Sequence, residues 1–301
     1  MIRLLALTML LWVASGCRAQ ESPPPLESQP SVDVQQLLTH RQVAAPPAVT
    51  GRQPLLWVSL AAHLGARADA APLTLKAASG SLSLEDRSGR RWSAASVQIS
   101  WRSVPLEKPL ALARRVAGPF ASFESAERVA LRWRALGVAA EVAHPAEWEV
   151  WAPAGAPAPG DLPVRDWSRR LESTVEPVLQ LPEGGTTLKG PLQIDAPGGL
   201  RWGKGIFQGP FRLQRDAYGS WTLVEQVPLE RYLEGVVPHE IGAGSPQAAL
   251  QAQTVLARTW ALANSHRFRI DGYHLCSDTQ CQVYSDPRQA GQAVRQAITA
   301  T

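Results

Sequence analysis

The sequence predicts an α+β protein of mixed helices and antiparallel β hairpins. Three observations point there. Short apolar or alternating runs separated by turn residues fill 55–116 and 192–224. Apolar residues recur at helical spacing in 122–136 and 229–236. An alanine-rich stretch that opens on Ser245-Pro246 continues the helical period to about His266. The chain of 301 residues has room for two compact units, at roughly 100 to 200 residues each. An apolar share of 45% with 19% charged residues is that of a globular protein rather than a disordered one. The net charge of +4 comes from scattered Lys and Arg, so no concentrated basic face is offered to nucleic acid.

The first 17 residues read as an export signal. Arg3 gives the positive start, Leu4 to Val13 the apolar stretch, and Ala14-Ser15-Gly16 the small residues before a cut. That stretch is too short to span a bilayer. Cys17 directly after the small residues resembles a bacterial lipobox cysteine, although alanine stands at the third position before it, where leucine is usual. A plain signal peptide and an uncleaved anchor are the alternatives. Residues 18–54, rich in Pro, Ser, Gln and Ala, read as a flexible tether that would let the folded part reach away from the membrane.

The region 55–152 opens with strand signals at Leu55 to Val58, Leu73 to Lys76 and Ser81 to Glu85, followed by the turn Asp86-Arg87-Ser88-Gly89. Val97 to Trp101 and Leu110 to Val116 read as two further strands. Ser122 to Leu136 reads as a helix ended by Gly137, since Ala126, Val129, Ala130 and Trp133 share a face. Val138 to Val142 and Trp148 to Trp151 return to extended patterns. On Gly118, Phe120, Ala126, Leu136 and Gly137 this order resembles a SPOR domain, a small module that binds glycan strands stripped of peptide stems. A generic α+β subdomain is the alternative. Residues 153–163 read as a Pro/Ala/Gly linker or exposed loop.

Within 164–301, Leu192 to Ile194, Gly205 to Leu213 and Trp221 to Val224 read as strands, with a hairpin turn at Asp216-Ala217-Tyr218-Gly219. Pro228 suits a first helical position, Leu229, Tyr232, Leu233 and Val236 form an apolar stripe, and Pro238 ends it. In the next helix Ser245 is the expected N-cap, and Ala249, Ala252, Leu256, Trp260 and Ala263 the expected buried face. If Cys17 carries lipid, Cys276 and Cys281 remain as a local pair, open to a disulfide or to metal ligation.

Three blocks in this segment resemble the SpoIID/LytB family of peptidoglycan-processing proteins. They are Val227-Pro228-Leu229-Glu230-Arg231-Tyr232-Leu233-Glu234-Gly235-Val236-Val237-Pro238-His239-Glu240, then Ala249 to Gln253 with Ala257-Arg258-Thr259-Trp260-Ala261, then Cys276 through Cys281-Gln282-Val283-Tyr284. Their order over about 60 residues makes the signal far more specific than a lone short motif. Ile241-Gly242 stand where the family has Met-Pro, Gln251 replaces a lysine, Trp260 a tyrosine, and Gln280 a histidine. The family continues beyond the point that matches Thr301 with a further β-rich half, so the resemblance implies a domain cut short.

The resemblance implies a lytic transglycosylase acting on peptide-free glycan, with Glu240 as its acid and base. In LytB-type relatives it implies instead a non-catalytic wall-binding protein that stimulates an amidase. From the residues alone, Glu240 follows a proline-ended helix and is flanked by Gly242 and Gly244, so it can face a cleft. Partial burial there would suit a proton donor; an anchoring role in its loop is the alternative. Glu230 and Glu234 lie one turn apart and read as solvated. Gln253, Arg258, Gln282 and Tyr284 carry over as candidates to line a groove or bind sugar hydroxyls, or else to knit the helices together. No cofactor is required. In some relatives positions like Cys276, Cys281 and the nearby His274 hold zinc, so a structural zinc is one reading and a disulfide the other. The expected setting is the cell envelope, exported and membrane-anchored, with glycan strands and a cell-wall amidase as partners.

Overall fold

The computed structural model of the protein describes Thr39, residues 43–182 and residues 184–301. The expected signal segment with Cys17, and most of the tether, lie outside the described residues. No helix of the described residues is long and apolar enough to cross a membrane.

Among the described residues, two sheets and four α-helices make an α+β fold. One sheet has seven strands, in the order β15 (Leu275–Cys276), β1 (Leu55–Leu64), β14 (Trp221–Pro228), β13 (Phe211–Arg215), β10 (Leu192–Asp195), β3 (Leu82–Glu85) and β4 (Arg91–Ala94). The other runs β12 (Gly205–Phe207), β11 (Leu200–Trp202), β2 (Leu73–Ala77), β5 (Ser96–Phe120), β7 (Trp148–Pro153) and β6 (Glu141–Ala143). Off its path, β8 (Val164–Leu181) pairs with β5, and β9 (Gly184–Thr187) with β8. The helices are α1 (Phe123–Ala135), α2 (Leu229–Ile241), α3 (Gln247–Ala263) and α4 (Gln292–Thr299).

Local chemistry accounts for many boundaries. Leu73, Leu75 and Ala77 of β2 are buried and alternate with exposed residues, the signature of a half-buried strand. Asp86 Oδ1 accepts the Ser88 N–H and so closes the β3–β4 turn. Asp216 Oδ1 does the same for Tyr218 and Ser220 between β13 and β14. Ser122 caps α1 by accepting the Ser125 N–H, and Phe123, Ala126, Val129, Ala130 and Trp133 form its buried stripe.

Several expectations change in three dimensions. Val97 to Trp101 and Leu110 to Val116 belong to one strand, β5, which is 25 residues long. The strand expected at Val138 to Val142 is Glu141–Ala143. Residues from Val43 onward, expected as tether, pack on the folded part: Val43 is buried, and Pro47 O meets His274 Nε2 at 2.8 Å. The stretch 153–163 is fastened rather than loose, since Trp133 Nε1 donates to Pro157 O and an Arg115 guanidinium N–H to Ala156 O, each at 2.6 Å.

The two expected halves also share one core. β1 pairs antiparallel with β14, from Leu55 against Pro228 to Leu64 against Trp221, and parallel with β15 through Val58 and Ser59. β3 pairs with β10, and β2 with β11. Residues 55–94 are therefore woven into the sheets of 164–301. The helices α2, α3 and α4 pack on one another, with α2 against β1 and β14.

Candidate functional site

The site is built on α2 and on the segment after the second cysteine. Pro228 ends β14 and stands at the N-cap, one residue before the helix. Pro238 lies inside the last turn instead of ending it; near a C-terminus the i−4 hydrogen bond it cannot donate is a smaller loss than in mid-helix. Gly242, at φ 86, closes the helix in a backbone region suited to glycine. Gly235 is required by packing: a Cβ there would sit 2.5 Å from Ser285 O and from a Tyr284 ring carbon. The absent side chain lets residues 283–285 run against α2, where Ser285 N–H donates to Gly235 O at 3.0 Å.

Glu240 is exposed on the last turn of α2, and its Oε1 accepts the Val283 N–H at 3.1 Å. This corrects the expected partial burial, because the helix projects its end past the core. Val283 is delivered by a small closed loop. Cys276 and Cys281 form a disulfide, Cys281 N–H donates to Asp278 O at 3.0 Å, and Tyr284 N–H to Ser277 O at 3.1 Å.

The disulfide decides the reading of the cysteines. Zinc needs free thiolates, whereas these sulfurs are bonded to each other. Buried His274 has no lone pair to give either. Its Nδ1 accepts the Trp57 N–H at 2.8 Å, so the hydrogen sits on Nε2 and is donated to Pro47 O. Burial holds this imidazole below its ordinary pKa and keeps it neutral. The set Cys276, Cys281 and His274 does not fit a metal.

Gln282 and Tyr284, carried over as sugar-binding candidates, are buried. The Tyr232 hydroxyl donates to Gln282 Oε1 at 3.3 Å, and Tyr284 stacks on Tyr232 at 5.0 Å. The Tyr284 hydroxyl donates to Glu225 Oε2 at 2.9 Å, while Glu225 Oε1 accepts the N–H groups of Gln208 and Gly209, both at 3.1 Å. Burial raises the pKa of Glu225 despite these donors. The Tyr232 hydroxyl is raised too, first by burial and then by the charge of Glu240, which ties the buried network to the exposed carboxyl.

Arg258 serves as a clasp. It forks onto Glu230 at 2.9 and 2.7 Å and also donates to Ile298 O at 3.3 Å, joining α2, α3 and α4. Glu230 is thus paired, as is Glu234 with Arg231 at 2.6 Å. Gln253 is half-buried on α3. Ser245 does not cap α3: its hydroxyl donates back to Ile241 O at 2.7 Å. The buried face of α3 is Leu250, Thr254, Ala257 and Ala261, and Leu256 is 64% exposed.

Glu225 and Tyr232 went unnoticed as polar members of the site. A signal existed for Glu225, because strand alternation places it with Leu223 and Val227 on the core face, where a carboxylate requires partners. His63 and His144 line a cavity of about 140 Å³ with Tyr273 and Asp278.

Residues 217–301 match the family model described as SpoIID, stage II sporulation protein. This segment belongs to the SpoIID family. The SpoIID segment contains every residue of the arrangement around Glu240 and Glu225 apart from the Gln208 and Gly209 amides. Membership supports a cell-wall role. The chain is also 35% identical over 88 residues to an uncharacterized protein of Brachyspira hyodysenteriae, an alignment covering 27% of this chain and 23% of that protein. The chain thus spans about a quarter of the length of the curated relative it matches. No solved structure matches.

Proposed function

We propose that the protein is a peptidoglycan lytic transglycosylase that cuts peptide-free glycan strands into 1,6-anhydro products, with Glu240 as both acid and base. The observation that carries this reading is the mounting of Glu240. One carboxyl oxygen is fixed by the Val283 N–H, and the other has no partner among the described residues and is open to a ligand. Gly242 and Gly244 beside it present no side chain to an approaching sugar.

The chemistry suits a single carboxyl. Glu240 gives its proton to the glycosidic oxygen as the bond to the anomeric carbon breaks. The carboxylate then takes the proton of the muramic acid 6-hydroxyl, whose oxygen closes onto that carbon, and the N-acetyl group can assist. No water enters. Hydrolysis would ordinarily require a second carboxylate, but Glu230 and Glu234 are engaged by arginines and Glu225 is buried.

A second reading, a non-catalytic wall-binding protein that enhances an N-acetylmuramoyl-L-alanine amidase, is favoured by the exposure of Glu240. Release of anhydro-ended fragments from peptide-free glycan separates the two. Equal release by wild type and Glu240→Gln ends the enzyme reading, and stimulation of an amidase by both proteins supports the second. We also propose export and lipid anchoring at Cys17, which the disulfide supports because such bonds persist outside the cytoplasm. Labelled palmitate incorporated by wild type and by Cys17→Ser alike would refute the anchor.

A further inference from the structure

The paired strands β5 and β8 extend beyond the cores as a two-stranded ribbon over 102–111 and 166–174, where residues on both faces are exposed or half-buried. A bare ribbon of this kind gains little stability from itself. Its side chains are nevertheless sorted. One face, together with the start of the β13–β14 turn, lines a cavity of about 470 Å³ whose walls include Leu106, Lys108, Leu110, Arg169, Leu171 and Arg215. No carboxylate lines it among the described residues.

The sorting follows from the two-residue period of a strand. Positions 106, 108 and 110 face the cavity, while Glu107 between them does not. Positions 169, 171 and 173 face it, joined at the inner end by Thr174 and Val175, while Arg170 and Glu172 do not, and those two pair with each other at 2.7 Å. The face turned away from the cavity thus carries the self-neutralised Arg170–Glu172 pair beside Glu107. The other carries Lys108 and Arg169 with no ion-pair partner among the described residues, set between half-buried leucines. Arg215 at the edge is held by Glu176 at 2.9 Å, so the uncompensated charge is that of Lys108 and Arg169.

From this sorting we infer that the ribbon groove is a second binding site, for a glycan strand that bears carboxylates. Fixed cations match the lactyl carboxylates that peptide-free muramic acid exposes along the strand, and the leucines match the apolar faces of sugar rings. The concavity favours a strand that lies in the groove over a flat bilayer. The identity of the glycan rests on the proposed function; the charge pattern does not. The site would hold the polymer independently of the SpoIID segment's Glu240.

Co-sedimentation of the protein with insoluble peptide-free glycan tests this. Lys108→Glu/Arg169→Glu and the milder Lys108→Gln/Arg169→Gln should each bind about tenfold or more weakly, from the loss of charge-assisted contacts. Lys108→Arg/Arg169→Lys should bind as wild type, and all should keep the wild-type melting temperature. Glu240→Gln should bind fully while releasing no anhydro product. Its failure to lose product would end the enzymatic reading and leave the groove standing. Undiminished binding by both charge-removing variants overturns the inference. So does equal binding of glycan whose carboxyls have been reduced to alcohols, or capture by phosphatidylglycerol vesicles in place of glycan.

Discussion

Glu225 and Glu240 stand at opposite ends of one network and show what the surroundings make of the same side chain. Glu225 is 1% exposed in the middle of β14, with both oxygens occupied by donors. Desolvation favours its protonated form, and its position leaves no path to a polymer. Glu240 is exposed on a helix end, with one oxygen fixed and the other open. The buried carboxyl organises Tyr284 and, through the stack with Tyr232, the floor beneath α2. The exposed one is where a substrate can arrive. In this segment the role of a carboxylate is therefore set by its depth, and residues 282–284 connect the two depths.

The largest expected effect breaks the comparison at its exposed end: Glu240→Gln should lower release of anhydro fragments by about 100-fold or more, the scale of a general acid–base contribution, with stability unchanged. At the buried end, Tyr284→Phe strips a donor from Glu225 and should cost about 1.5 to 3 kcal/mol in chemical denaturation. Cys276→Ser/Cys281→Ser opens the short loop between the ends. It should cost about 2 kcal/mol by loop-closure entropy and reduce fragment release, because Val283 then holds Glu240 less firmly. The smallest effect is in pH. His274 and His144 are both held below their ordinary pKa, chiefly by burial, so the unfolded chain binds protons that the folded one refuses. Their contribution is complete above an unfolded-state pKa of about 6.5 and is lost as pH falls through the folded values. Thermal melts should therefore show a falling midpoint below neutrality, with a shallower slope in His274→Gln.

Local features were legible. The cap at Ser122, the turns at Asp86 and Asp216, and the helix opening after Pro228 each depend on neighbours a few residues away. The face of α3 was not. Alanine occurs on several sides of that helix and gives little contrast, so 249, 252, 256, 260 and 263 looked as good a stripe as the true 250, 254, 257 and 261. Within the site, Glu240 and the segment Cys276–Tyr284 stood out by motif. That Gln282 and Tyr284 lie inside rather than in a groove depends on Gly235 admitting them against α2.

The amino-acid order alone determined the α+β character, the SpoIID blocks with their single outstanding glutamate, both ends of α1, the start of α2 and the turns at Asp86 and Asp216, because caps, prolines and short periods act over a few residues. Only the tertiary structure decided that β1 sits between β14 and β15, that His274 is locked to Trp57 across 217 positions of sequence, that the cysteines pair, and that one glutamate is buried while another is open. Burial and pairing belong to the assembled core, and no local window of residues contains it.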